Sequence, residues 1–147
     1  MKTIDKTKEL EANIQLMNEK LLFKGTVDGN DPISIDYIPP LGDGQGYISL
    51  ELLLLSLTSC MGSALLTFLR RMNKQITGFE INAKGIRNEE HPTGFRIIHV
   101  EIVLTSNNTT LTEIDRLLKL VEETYCPVWA MIKGNVDIKV NPVIISA

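Results

Sequence analysis

The sequence predicts an α+β fold in a single domain spanning residues 1–147, and three observations carry that expectation. Short β-branched segments fill the first forty residues, a long uncharged stretch follows, and strand-like and helical patterns share the remainder. With 147 residues, 44% hydrophobic and 22% charged, the chain has the length of one domain and the balance of a globular protein with a core.

Glu11 to Met17, Lys20 to Val27 and Pro32 to Ile38 read as three antiparallel strands, the last two forming a hairpin across Asp28-Gly29-Asn30. A helix over Lys6 to Lys20 is the alternative, because its residues are good helix formers. Pro39 to Gly46 holds too much Pro and Gly for regular structure.

A long helix is expected over Ser49 to Lys74, with Ser49 as N-cap, Glu51 at the positive end of its dipole and Arg70, Arg71 and Lys74 at the other. Leu52 to Leu69 contains no charge over eighteen residues, which suits a membrane span or a helix buried on all sides. Six of the eighteen are Ser, Thr or Gly, which weakens lipid partitioning and favours the buried helix. The 25 residues from Ser49 to Asn73 make roughly 37 Å of helix, about the diameter expected of the whole domain. A second copy of the chain is the simplest cover, so a homodimer is expected.

Phe79 to Arg87 and Phe95 to Leu104 read as strands around a polar loop, and Thr109 to Tyr125 as an amphipathic helix. Cys126-Pro127 interrupts that helix, Val128 to Lys133 forms a short one, and Asn135 to Val140 a last strand. The net charge of −3 gives no footprint for nucleic acid or an anionic membrane. The opening MKTIDKTKELEANIQ lacks the apolar run of a secretory signal, which points to the cytoplasm.

Cys60 and Cys126 are the residues with reactive potential. Cys60 sits near the middle of the long helix, where a small core residue is the plain reading. Cys126 stands at a helix break, where backbone N–H groups can face a thiolate, or where it merely caps the helix. A structural bridge between them does not suit a reducing compartment, whereas a reversible attacking and resolving pair does. Cys60, His91, His99 and Cys126 lack the paired spacings of a zinc site, and no phosphate loop or dinucleotide fingerprint occurs, so neither metal nor cofactor is expected.

Glu51-Leu52-Leu53-Leu54, Cys60 nine residues after the glutamate, and Leu69-Arg70-Arg71-Met72 together resemble the central helix of the OsmC/Ohr family. Gly85-Ile86-Arg87, Glu89-Glu90-His91-Pro92 and Phe95 resemble its strand-turn-strand. Tyr125-Cys126-Pro127-Val128 is similar to its second cysteine motif, and Asn135-Val136-Asp137-Ile138 to its closing strand, so the likeness runs from about Leu22 to Val140. The resemblance implies an intertwined homodimer, each chain's long central helix packed against antiparallel sheets. It also implies thiol-dependent reduction of organic hydroperoxides in oxidative stress defence, with Cys60 peroxidatic, Cys126 resolving, Glu51 part of the site and an external dithiol as reductant. The alternative is a non-enzymatic member that binds a small apolar ligand or senses oxidants. Peroxidase members hold the thiolate with an arginine from the N-terminal strands, and no arginine precedes Arg70 here. Lys20 or Lys24 is left as the stand-in, each a point charge rather than a planar fork. On an ideal helix, Glu51 lies about 180° around and ~14 Å along from Cys60, so it cannot reach that sulfur.

Overall fold

A computed structural model describes residues 5–147; the first four residues of the stretch read for a leader lie outside it. The chain divides into two compact units, Met1–Leu52 and Leu53–Ala147.

The first unit holds β1 (Asn13–Leu16), β2 (Phe23–Thr26) and β3 (Ile33–Ile35), antiparallel in the order β1-β2-β3. All three expected strands form, each shorter than its apolar pattern, and no helix replaces the first. The Pro/Gly-rich loop is organised by the buried carboxylate of Asp36, which accepts the backbone N–H groups of Tyr37 at 2.7 Å, Asp43 at 3.2 Å and Gln45 at 3.0 Å. The Gln45 amide is the first cause of a lowered Asp36 pKa, followed on the same side by the Tyr37 and Asp43 amides and the charge of Lys20. A Cβ on Gly42 would overlap Tyr37 O and Asp36 Oδ1, so this tight wrap admits only glycine there.

Helix α1 (Ser49–Arg71) starts in the first unit and continues into the second. Its cap is Ile48 rather than Ser49: the Glu51 carboxylate accepts the Ile48 N–H at 2.8 Å, the reach-back half of a capping box. Just past its end, Asn73 has a φ of 56°, the left-handed turn common after a helix.

In the second unit the buried residues of α1 are Leu57, Met61, Gly62, Leu65 and Leu69, one stripe at three- and four-residue spacing. The expectation of burial on all sides is not met within one chain. Its most apolar window is 28% buried, and Leu55 is 53% exposed, although length and composition alone would let the helix cross a membrane. The hydroxyls on the open side turn back to the helix: Thr58 donates to Leu54 O at 2.9 Å, Ser59 to Ser56 O at 3.1 Å and Thr67 to Ser63 O at 2.6 Å.

β4 (Gly78–Arg87), β5 (Phe95–Thr105) and β6 (Asp137–Ile145) form the second sheet, order β4-β5-β6. Ile98, Val100, Ile102 and Leu104 of β5 are buried while His99 and Glu101 are exposed, the alternation expected of one wet face. The ring of Phe95 lies where a Cβ of Gly85 would stand, so the aromatic covers the glycine on the neighbouring strand. The expectation of antiparallel sheets fails at β6, which pairs with β5 in parallel. A helical crossover separates the two strands, and such a connection returns the chain in the same direction. β6 also runs past the expected end at Val140, through Pro142, which an edge strand tolerates because one side needs no donor.

Helix α2 (Leu111–Leu120) opens with a full capping box between Thr110 and Glu113. Lys74, just past α1, bonds Glu113 at 2.7 Å and Asn108 O at 2.8 Å, fixing the start of α2 to the end of α1. Fully buried Leu65 lies mid-stripe, so Leu65→Ala should cost about 2–5 kcal/mol of unfolding free energy, read as a lower urea midpoint at unchanged slope.

Candidate functional site

The site begins with the stripe of α2. Ile114, Leu117, Leu118 and Val121 are buried, and α-helical spacing would carry the stripe on to position 124 or 125. Instead Val121–Tyr125 makes a π turn, and the Cys126 N–H bonds Val121 O at 2.9 Å. The wider turn turns Tyr125 outward, 52% exposed, and gives the buried position to Cys126, 1% exposed. Cys126 is then the extended N-cap of α3 (Pro127–Ile132), with Pro127 at the first helical position, where no N–H is needed. Its Sγ accepts the Trp129 N–H at 3.4 Å.

Cys60 is half-buried on α1 and opens into a concavity of about 520 Å³. Ser63, Ala64, Thr67 and Phe68 line it from α1, and Arg71 and Tyr125 close it. Positions 60, 64, 67 and 71 are one helix face. Phe68 and Tyr125 meet edge to face, with ring centroids 4.8 Å apart at 70°.

The structure brings the two sequence-predicted cysteines together, and neither is in a disulfide. Burial is the first cause that pushes the Cys126 thiol up to about 11, and the Cys60 thiol adds to it as hydrogen-bond partner and as like charge. The amides of Trp129 and Val128 act in the opposite sense. Cys126 is therefore a neutral S–H at physiological pH, buried beside a more open sulfur.

Glu51 belongs to the first unit, where its carboxylate accepts the Ile48 N–H at the first turn of α1. Lys20 forms an ion pair with Asp43 at 2.7 Å within the first unit, and Lys24 lies on β2. Among the described residues no group of three or more His, Cys, Asp or Glu is placed to hold a metal ion. Arg71, Phe68 and Tyr125 are the neighbours that sequence reasoning missed. The eleven-residue spacing of Cys60 and Arg71 is the signal that could have found one of them, since eleven residues return to the same helix face.

The family described as OsmC-like protein matches residues 42–141, which include both cysteines and the helix between its capped start and Arg71. The chain belongs to the OsmC-like family. Among solved structures, a hypothetical protein from Aquifex aeolicus is similar at 25% identity and TM-score 0.83, over 95% of this chain and 98% of that one. An OsmC-like protein from Mycoplasma pneumoniae is similar at 22% identity and TM-score 0.80, over 97% and 99%. The organic hydroperoxide resistance protein OhrB of Bacillus subtilis shares the fold at 21% identity and TM-score 0.66, over 93% and 99%. No curated protein matches the chain. The mixed architecture of two sheets and helices is thus the OsmC-like fold.

The raised Cys126 pKa has a stability consequence. The unfolded chain ionises this thiol near its ordinary value of 9.0, while the folded chain holds the proton to about 11. Between those values the folded state binds more protons, so stability falls as pH rises from about 9 to about 11. Thermal unfolding across that window should show the decline, and Cys126→Ser should flatten it.

Proposed function

We propose that this chain reduces organic hydroperoxides by dithiol chemistry at Cys60 and Cys126, acting as a single OsmC-like domain in cytoplasmic oxidative stress defence. The observation that carries the reading is the asymmetry of two neighbouring thiols: Cys126 is buried and held protonated, and Cys60 opens into the concavity. Family membership and the hydroperoxide-resistance name borne by OhrB support the same direction.

The Cys60 thiolate attacks the outer oxygen of ROOH, the S–O bond forms and the O–O bond breaks. The alkoxide leaves and takes a proton as the alcohol. The Cys126 sulfur then attacks the sulfenic sulfur; the S–S bond forms and hydroxide departs, taking up the Cys126 proton as water. An external dithiol reduces the disulfide and is itself oxidised. In this scheme the Cys126 S–H donates to the Cys60 sulfur, and Glu51 contributes by fixing the helix that carries Cys60. With no arginine in the N-terminal strands, Cys60 reacts more slowly than in relatives that have one.

Stopped-flow consumption of cumene hydroperoxide with dithiothreitol tests the reading. Wild type should exceed Cys60→Ser by at least about tenfold, and equal slow rates end the proposal. Mild peroxide followed by non-reducing peptide mapping should give the Cys60–Cys126 link, and Cys126→Ser should leave sulfenic acid on Cys60.

We also propose that a second copy covers the open face of α1 in an intertwined homodimer. An apolar helix only 28% buried in its most apolar window supports this. Sedimentation at micromolar concentration should give a dimer, and a stable monomer removes the claim.

A further inference from the structure

We infer that Phe68 and Tyr125 form an aromatic wall that makes the Cys60 site selective for hydroperoxides carrying a flat aryl group next to the peroxide-bearing carbon. The inference rests on the peroxidase reading above and names the substrate class of that site.

Three observations lead to it. The two rings sit in the concavity that Cys60 opens into, and they contact each other edge to face at 4.8 Å. In that geometry one ring presents its edge and the other its face, with Tyr125 52% exposed and Phe68 half-buried. Tyr125 is 52% exposed although it follows directly on a buried helical stripe, because the π turn displaces it outward. An exposed aromatic held against another aromatic, beside a reactive sulfur, is a ready contact surface for an aryl group.

The spacing on α1 fits as well. Phe68 lies eight residues after Cys60, about 12 Å along the helix, and helical side chains lean toward the N-terminus. Its ring therefore leans back toward Cys60, at a separation that a ring one or two bonds from a peroxide bridges. Between them Ala64 presents a methyl and the Thr67 hydroxyl is turned away to Ser63 O at 2.6 Å, while Ser63 and Arg71 supply the polar part of the lining. A linear or branched alkyl group buries area there but cannot complete the aromatic cluster.

The test uses the full-length protein and compares cumene hydroperoxide with tert-butyl hydroperoxide. Tyr125→Ala should lower the aryl-to-alkyl ratio of kcat/KM about threefold to tenfold, whatever it does to the rate common to both substrates. Tyr125→Phe, which keeps the ring and removes the hydroxyl, should preserve the wild-type ratio, and Phe68→Leu should reduce it. An aryl-to-alkyl ratio unchanged in both Tyr125→Ala and Phe68→Leu overturns the inference while leaving the peroxidase reading intact. A binding measurement keeps the two separable. Cys60→Ser, titrated by NMR with 2-phenyl-2-propanol and its ring-saturated cyclohexyl analogue, should favour the aromatic alcohol, and Tyr125→Leu should erase that preference. Equal binding of both alcohols to Cys60→Ser counts against the wall even if no variant turns over peroxide.

Discussion

One hydrogen bond governs the arrangement of this site: the Cys126 N–H reaching back five residues to Val121 O. An α-helical bond would take the amide to Glu122 and carry the buried stripe of α2 onto Tyr125. The π register instead ends the stripe on a sulfur, sets the phenol ring against Phe68, and leaves the chain extended at the point where α3 begins. π turns appear mostly as single turns inside helices, frequently at functional sites, because one inserted residue re-aims every side chain that follows. Pro127 then starts α3 without an orphan N–H, and the Trp129 amide is left to meet the thiol.

Much of the fold was legible because its signals are local. The strands of the first unit announce themselves by β-branched runs between turn residues, α1 by its uncharged length, and β5 by its alternation. The π turn was not legible, because Glu122, Glu123 and Thr124 carry no apolar signal from which a shift of register could be read. Nor was the direction of β6, since pairing with β5 is a contact between distant segments and Pro142 argued against a long strand. In the site itself the two cysteines were found; Arg71 and Phe68 share α1 with Cys60 and could have been read from its helical spacing, whereas Tyr125 comes from a distant segment through packing that no local spacing encodes. The cap of α1 was misplaced by one residue because a serine is the better capping residue, yet Glu51 reaches the Ile48 amide.

The uncharged run of α1 carries a second lesson about patterns. Hydroxyl side chains count as polar in any hydropathy reading, but those of Thr58, Ser59 and Thr67 donate to carbonyls of their own helix. What they present outward is methyl and methylene surface close to the backbone. These three hydroxyls therefore add less polarity to the open face than a hydropathy reading assigns them, although Ser56, Ser63 and Arg71 are exposed on the same helix.

The absence of an arginine before Arg70 shifts attention to what accompanies the Cys60 sulfur, and there the partner thiol matters most. Cys126 is held protonated by burial first, and then by Cys60 itself, as hydrogen-bond partner and as like charge. In the proposed cycle a neutral sulfenic acid on Cys60 removes the like charge, while its oxygen can still accept a hydrogen bond and burial, the first cause, is unchanged. The amides of Trp129 and Val128, which favour the Cys126 anion, remain. Oxidation of the first sulfur therefore removes one cause that holds the second protonated and leaves the largest in place. In the reduced state of that proposed cycle Cys126 is buried and protonated, which makes it the poorer nucleophile toward peroxide. The order of attack in the proposed cycle then follows from burial: the half-buried sulfur of Cys60 meets peroxide first and the buried one second.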